Sequence, residues 1–223
     1  MPIKLAVFDC DGTLVDSQAN ICRVMEHAFA TFGLPAPPRA ATRAIVGLSV
    51  VEAMTLLAPA LDPATHLALS DTYKATFRRM REAGELDAEP LYDGLVAALD
   101  ALAADGWSFG VATGKSDRGL AHVLAVHGLA DRFVTLQTAD RHPSKPDPAM
   151  LRAAMAEAGA LPHMTAMIGD TTFDMAMARA AGARAIGVNW GYHREAALWQ
   201  AGAERLAQRC ADLPRCLAEC LAA

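Results

Sequence analysis

The sequence has 223 residues, of which 53% are hydrophobic and 20% are charged, and its formal net charge is −5 at pH 7. These values are ordinary for a globular protein and predict one large domain, or one domain with a small insertion. The 20 lysines and arginines are scattered along the chain, which argues against nucleic acid or another polyanion as a partner.

The five cysteines form no C-x-x-C pair and follow no secretory signal, so we expect free thiols in a reducing compartment. Cys210, Cys216 and Cys220 have roughly helical spacing among leucines and alanines, which favours buried helix positions over a metal site. The most apolar segment, residues 44–61, contains Glu52 and is too polar for a membrane span. These features predict a cytoplasmic protein without a membrane partner.

Short apolar runs recur along the chain and are typical of strands buried on both faces. We predict strands at 3–8, 109–112, 133–136, 166–168 and 185–188. Helical patterns lie between the later runs, at 94–105, 117–127, 148–159 and 175–181. The third of these helices begins with Asp147 as N-cap and Pro148 in its first turn. This alternation predicts an α/β fold with a doubly wound parallel sheet.

Between Asp16 and Pro90 the pattern contains helices alone. They are predicted at 18–32, 40–57 and 67–83. This block suggests an inserted α-helical cap domain at 16–90 within a core of residues 1–15 and 91–223. The linkers would lie near 15–17 and 89–92.

Reactive side chains lie at the ends of the predicted strands. They are Asp9 and Asp11 after the first strand, Thr113, Gly114 and Lys115 after the second, Lys145 before the helix that follows the third, and Asp170 and Asp174 after the fourth. Ligands of parallel sheets bind beyond the carboxyl ends of the strands, so we expect these residues to meet at one edge.

Several carboxylates at one edge would repel one another unless a cation lay among them. Carboxylate and carbonyl oxygens suit Mg²⁺, and a lysine with a hydroxyl would hold the oxygens of a phosphate. The sequence therefore predicts a phosphate-handling site. In such a site one Asp can attack phosphorus to form an aspartyl-phosphate, while a second Asp two residues on transfers the proton.

Four motifs, in this order, resemble those of the haloacid dehalogenase superfamily. They are D-x-D-G-T-L-x-D-S from Asp9, a hydroxyl residue followed by Gly-Lys at Thr113, Lys-Pro-x-Pro from Lys145, and G-D-T-x-x-D from Gly169. The resemblance covers nearly the whole chain, and LYDG at 91–94 and WGY at 190–192 are similar to the phosphoglycolate phosphatase-like subgroup. It implies a Rossmann-like core with a cap, acting as a phosphatase on a small phosphorylated metabolite.

The resemblance also implies individual roles. Asp9 would be the nucleophile and Asp11 the general acid and base. The Mg²⁺ site would involve Asp9, the backbone carbonyl of Asp11, Asp170 and Asp174, the last as a ligand or a neighbour of one. The phosphate ligands would be Thr113, Gly114 and Lys145.

Three nearby residues receive structural interpretations. Lys115 is interpreted as a loop cation, and Asp16 as the cap of the first helix of the insertion. Cys10 lies between the two acids, but strand alternation should turn its side chain away from them and into the core.

Other activities resemble parts of the pattern. Dehalogenases of this fold lack an acid at the position of Asp11, and phosphonoacetaldehyde hydrolases use a cap lysine, for which Lys74 is the one candidate. A β-phosphoglucomutase-like enzyme would keep a basic cap loop, but residues 47–50 contain no arginine. A pyrophosphatase of the family stays open as an alternative. A receiver-type signalling domain is the alternative that is not an enzyme, although it takes phosphate after a middle strand and is shorter.

The substrate group beyond the phosphate is expected to contact the cap loop. Arg43, just before Ile45 and Val46, is a candidate for pairing with a substrate carboxylate such as that of phosphoglycolate.

Overall fold

The computed structural model describes residues 2–222 and has a six-stranded parallel sheet at its centre. The strands are β1 (Lys4–Phe8), β2 (Trp107–Thr113), β3 (Phe133–Thr138), β4 (Thr165–Gly169), β5 (Arg184–Val188) and β6 (Arg205–Ala207). Their spatial order is β3-β2-β1-β4-β5-β6. The predicted α/β fold is confirmed, although β6 was not predicted because its three residues are too short to form a pattern.

Ten α-helices accompany the sheet in the described part of the chain. Those of the insertion are α1 (Gln18–Thr31), α2 (Arg39–Ala44), α3 (Val50–Leu57) and α4 (Pro63–Glu82). Those of the core are α5 (Leu95–Ala104), α6 (Asp117–Val126), α7 (Ala149–Ala158), α8 (Thr172–Ala181), α9 (Glu195–Ala201) and α10 (Leu213–Ala222). None of these helices combines the length and the apolar character needed to cross a bilayer.

The first strand is buried on both faces, as its continuous apolar run predicts. Leu5 and Val7 belong to one apolar cluster, while Ala6, Phe8 and Cys10 belong to a second one. Alternation along the chain thus places helices on both faces of the sheet. The presence of Cys10 in the second cluster confirms that its side chain packs in the core.

The strand order reverses next to β1, which pairs with β2 on one side and β4 on the other. Asp9 directly follows β1, and its amide donates to the Ile168 carbonyl of β4 at 2.9 Å. Such a reversal leaves a crevice at the carboxyl ends of the strands. The crevice lies where the sequence places the acids.

Helices α1 to α4, which we call the helical insertion, contain a separate apolar cluster. Val24, Met25, Phe29, Met54 and Leu69 form its centre. The two chain segments that enter and leave the insertion run side by side: they share an antiparallel bridge, and the Asp16 amide donates to the Pro90 carbonyl at 3.0 Å.

The predicted helix over 40–57 is wrong, because the chain forms two helices separated by a loop. Gly47 in that loop has a φ of +97°, which interrupts a right-handed helix. Ser49 then caps α3, its hydroxyl accepting from the Glu52 amide at 3.4 Å. The Ser-x-x-Glu spacing is a helix-start signal that a search for apolar periodicity overlooks.

Smaller corrections concern helix ends and cysteines. Helix α7 begins one residue after Pro148, although the Asp147 carboxylate accepts from the Ala149 amide at 2.9 Å. Helix α1 is preceded by Ser17, and Asp16 accepts from the Gln18 amide at 3.3 Å, so Asp16 contributes to this end as expected. All five cysteines are free and buried; Cys210 lies in a short 3-10 turn rather than in a helix.

Candidate active site

The side chain of Asp9 is fully buried at the end of β1. Its Oδ1 accepts from the Cys10 amide at 2.6 Å and lies 3.0 Å from the Lys145 ammonium. Its Oδ2 has no hydrogen-bond partner within the described residues. Burial, together with the Asp174 and Asp11 carboxylates, raises the pKa of Asp9 to about 7, against the opposing effect of Lys145. The free oxygen is thus available to a group that the chain itself does not provide.

Asp170 and Asp174 follow β4 and are also fully buried. Thr13 donates to Asp170 Oδ1 and the Tyr192 amide to Asp170 Oδ2, both at 2.9 Å. Burial and the neighbouring carboxylates raise the pKa of Asp170 well above its ordinary value. Asp174 closes a capping box at the start of α8: its Oδ2 accepts from the Thr171 amide at 3.1 Å and from the Thr171 hydroxyl at 2.7 Å.

Lys145 lies between two of these acids. Its ammonium contacts Asp174 Oδ1 at 2.6 Å as well as Asp9 Oδ1 at 3.0 Å, with no exposed side-chain surface. The two carboxylates raise the pKa of Lys145 despite its burial, so the ammonium stays charged. Thr113, at the end of β2, is buried as well, and its hydroxyl accepts from the Lys115 amide at 3.2 Å.

The carboxylate cluster fits a divalent metal ion. Asp9, Asp170 and Asp174 each offer an oxygen, and these three atoms lie within 4.8 Å of one another. With all three carboxylates ionised, the single ammonium of Lys145 would leave an excess of two negative charges in a buried space. The all-oxygen donor set matches Mg²⁺, which is bound through carboxylates and keeps several waters.

Asp11 is oriented by two donors that both face the same oxygen. The Lys115 ammonium lies 2.7 Å from Asp11 Oδ1, and the Ser17 hydroxyl donates a hydrogen bond to the same oxygen. The Tyr192 hydroxyl lies 3.4 Å from the Ser17 hydroxyl and accepts from the Ser17 amide. Both donors contact Oδ1, so neither of them occupies Oδ2 of Asp11.

The helical insertion covers this site. A Cβ atom placed on Gly47 would lie 3.6 Å from Asp9 Oδ2, so the loop between α2 and α3 passes directly over the buried carboxylate. On the core side, a Cβ on Gly114 would overlap the Leu48 carbonyl and lie 2.7 Å from the Gly47 carbonyl oxygen. The Ser49 amide also donates to the Ser144 hydroxyl at 2.8 Å. The loop therefore lies in close contact with the core at this site.

A cavity of about 470 Å³ extends from Asp11 into the helical insertion. Gly114 and Lys115 of the core line it together with Asp11. The insertion contributes mainly apolar side chains, from α1, α3, α4 and the loop over Asp9: Ile21, Met25, Ile45, Val46, Val50, Ala53, Tyr73 and Phe77.

The structure brings together the acids, Thr113, Gly114 and Lys145 at one edge of the sheet, but it leaves Arg43 outside. Arg43 lines a separate cleft with Tyr192 and His193, and its guanidinium donates to the Gln18 side chain at 3.3 Å. Lys74, exposed on α4, pairs with Asp140 at 3.6 Å at the edge of the cavity.

Sequence reasoning missed the contacts of three residues near Asp11. Lys115, interpreted as a loop cation, is a nearly buried partner of Asp11. Ser17 and Tyr192 belong to motifs quoted for the resemblance, but nothing in their spacing indicates that they meet. For Lys115 the adjacent Thr-Gly pair was an available signal, since it places the lysine at a strand end.

The fold and the site define a class: an α/β enzyme with carboxylates at the carboxyl ends of parallel strands and a helical insertion above them. Residues 6–188 match the family model of the haloacid dehalogenase-like hydrolases. The chain therefore belongs to this family.

Similar proteins narrow the activity. The chain is 37% identical over 194 residues to a protein of Dickeya dadantii named "Probable phosphatase IndB", covering 85% of this chain and 82% of that one. It is 33% identical over 201 residues to the phosphoglycolate phosphatase of Rhodospirillum rubrum, and this match covers 86% of this chain and 82% of that one. A crystal structure of a predicted phosphatase from Clostridium acetobutylicum superposes with a TM-score of 0.87 at 25% identity. The superposition covers 98% of this chain and 100% of that one. The chain is thus a phosphatase of this family, similar to phosphoglycolate phosphatases.

Proposed function

We propose that this protein is a Mg²⁺-dependent phosphatase that hydrolyses a small phosphomonoester through an aspartyl-phosphate on Asp9. The observation that carries the proposal is the unpartnered Oδ2 of Asp9, fully buried among carboxylates and a lysine. Buried polar atoms in proteins seldom lack a hydrogen-bond partner. The unpaired Oδ2 of Asp9, which lies at the carboxyl ends of the strands, therefore calls for a functional explanation.

Asp9 Oδ2 attacks phosphorus, forming the aspartyl-phosphate as the ester P–O bond breaks. Asp11 donates its proton to the departing alcohol oxygen and then removes a proton from the attacking water. The second attack releases inorganic phosphate and restores the Asp9 carboxylate. The Lys115 and Ser17 contacts to Oδ1 of Asp11 support this role because they hold the carboxyl in one orientation.

The phosphate oxygens would be bound by Thr113, the Gly114 amide and Lys145, which lie at the same edge as Asp9. The ammonium of Lys145 favours the dianionic phosphate over water. Mg²⁺ would be held by Asp9, Asp170 and the Asp11 carbonyl, and when bound it neutralises the charge that keeps a carboxylate and a phosphate apart.

Residues 16–90 act as the cap domain in this proposal, and residues 1–15 and 91–223 as the catalytic core. The paired linkers at the junction would let the insertion move as a unit. Closing the Gly47 loop over Asp9 excludes bulk water from the aspartyl-phosphate until the alcohol has left.

The direct test is phosphate release from phosphomonoesters by purified protein. We expect turnover with Mg²⁺ and none with excess chelator, and we expect Asp9→Asn to abolish turnover while the melting temperature stays within a few degrees. Asp131→Asn is the matched control, because Asp131 is an exposed acid in a short 3-10 turn of the core. Full activity of Asp9→Asn, or equal turnover with chelator, would show that the proposed mechanism is wrong.

A further inference from the structure

The cavity beside Asp11 has two contrasting ends. At its core end, Asp11 and Lys115 provide charge, as the bond-breaking step requires. Its walls are apolar where α1, α3 and the Gly47 loop form them, with Ile21, Met25 and Val46 among the buried residues that line it. Because Asp11 would protonate the departing oxygen, the space beyond Asp11 is where the alcohol part of the substrate must lie.

We propose that the alcohol part of the substrate is apolar and ring-bearing, so that the enzyme prefers phosphomonoesters of aromatic or heteroaromatic alcohols. This inference rests on the proposed function and adds the substrate class to it. The volume of about 470 Å³ is in the range that encloses ligands much larger than a two-carbon acid. A glycolate group would leave most of the apolar wall in contact with trapped water.

The chemistry of the wall argues against a sugar. Each buried hydroxyl of a sugar needs a hydrogen-bond partner, and burying one without a partner is costly. The hydrogen-bonding side chains that the insertion offers all lie on α4, whereas α1, α3 and the Gly47 loop line the cavity with apolar side chains. An apolar leaving group loses no hydrogen bonds in this space and releases water from the wall.

Two aromatic residues of α4 favour a ring over an aliphatic chain. The rings of Tyr73 and Phe77 have centroids 5.9 Å apart and are tilted by 58°, and both line the cavity. Such a corner suits a third ring, in offset or edge-to-face contact. The Arg81 guanidinium lies over one face of the Phe77 ring, 4.8 Å from the ring centroid, and helps to hold this ring in place.

Part of the cavity is basic, which suits an anionic ester. Arg78 and Arg81 line it, and within the described residues neither has a carboxylate within 4.0 Å. Lys74 and Arg118, by contrast, are paired with Asp140 and with a glutamate of α4. The free guanidinium groups would attract a phosphomonoester dianion toward the site.

The first experiment compares benzyl phosphate with ethyl phosphate and with phosphoglycolate, in the presence of Mg²⁺. Benzyl and ethyl alcohol are similar leaving groups, so their ratio reports on binding of the ring rather than on intrinsic reactivity. We expect kcat/KM for benzyl phosphate to exceed that for ethyl phosphate about 100-fold, and to exceed that for phosphoglycolate as well. A ratio below about threefold, or preference for phosphoglycolate, would overturn the inference while leaving the phosphatase function intact.

Binding without turnover separates the two proposals. We expect benzylphosphonate to bind the wild-type protein about 100-fold more tightly than methylphosphonate, measured by calorimetry with Mg²⁺ present. This result is independent of catalysis, so it would support the ring site even if no ester were hydrolysed and the proposed function failed. Equal affinities would overturn the ring site.

The variants Phe77→Ala and Phe77→Leu test the aromatic corner. Phe77→Ala should reduce the benzyl to ethyl ratio about tenfold, and Phe77→Leu should reduce it less while preserving the fold. Leu67→Ala is the matched control, since Leu67 lies on the same helix but is 54% exposed and does not line the cavity. Unchanged ratios in a folded Phe77→Leu and in Phe77→Ala would contradict the assignment of this wall to the substrate ring.

Discussion

The Lys115 ammonium lies 2.7 Å from Asp11 Oδ1, and both side chains are about one-tenth exposed. At this depth the pair is screened little by solvent, and each partner is the nearest counter-charge of the other. The proposed proton-transfer residue is therefore held by a lysine that no predicted role had included. Burial by itself lowers the pKa of Lys115, but the Asp11 and Glu89 carboxylates raise it by more, so the ammonium keeps its charge.

Replacing Lys115 by methionine should lower kcat/KM about 10- to 100-fold, because Asp11 loses the cation that orients it. Lys115→Arg should recover part of the loss, since a guanidinium keeps the charge. Steady-state kinetics with a phosphomonoester and Mg²⁺ measure both, and thermal melts show whether each variant folds. Wild-type kinetics in a folded Lys115→Met would rule out a functional role for the ion pair.

Ser17→Ala should reduce kcat about tenfold with little change in KM, because the hydroxyl acts on Asp11 rather than on the substrate. Tyr192→Phe should have a smaller effect in the same direction, since Tyr192 contacts Asp11 only through Ser17. The separation of kcat from KM is the informative measurement. An increase in KM alone would indicate instead that Ser17 binds the substrate.

Asp170→Asn and Asp174→Asn should impair different properties of the enzyme: the first its affinity for Mg²⁺, and the second its kcat and stability. Asp170→Asn should raise the Mg²⁺ concentration for half-maximal activity at least about tenfold, because it removes a charge from the donor set. Asp174, unlike Asp170, pairs with the Lys145 ammonium and closes the capping box of α8, so Asp174→Asn should mainly lower kcat and destabilise the start of α8 by about 1 kcal/mol. Mg²⁺ titrations and chemical denaturation distinguish them, and the reverse order of effects would contradict this division.

Gly114→Ala tests whether the closed position of the insertion is the active one. The added methyl group would overlap the Leu48 carbonyl of the loop over Asp9, so closure should be blocked. We expect kcat/KM to fall at least about 100-fold, with the free energy of unfolding changed much less, because the overlap disappears when the insertion opens. Activity near the wild-type level would mean that the loop works in a more open position.

The buried cysteines should react slowly in the native protein. Burial raises the pKa of Cys210 and of Cys220 to about 11, so few thiolates are present near pH 8. A disulfide reagent at pH 8 should find almost no fast thiol before denaturation and five after it. Because the folded thiols keep their protons between about pH 9 and 11 while unfolded thiols lose them, these two residues should stabilise the fold less as the pH rises through that window. Rapid reaction of several native thiols would contradict the packing.

The sequence by itself determined the alternating fold and the location of the acids. Apolar runs buried on both faces predict parallel strands, and parallel strands bring their carboxyl ends to one edge, so Asp9 and Asp170 had to lie close together. Several helix ends were predictable to within a few residues because a glycine or a capping residue marked them, although the signals of Gly47 and Ser49 were overlooked. Apolar runs, glycines and capping residues act on the segment that contains them, so their effects can be inferred from the sequence alone.

Only the tertiary structure decided which side chains touch. The ion pair of Lys115 with Asp11 joins two strand ends about a hundred residues apart, and the position of Gly47 over Asp9 depends on how the insertion packs on the core. The break in the predicted helix over 40–57 has the same origin, since the loop must approach the buried carboxylate closely. The apolar cavity likewise exists only between two packed bodies, because its wall and its catalytic end come from different parts of the chain. Contacts between distant segments depend on three-dimensional packing, which neither spacing nor composition specifies.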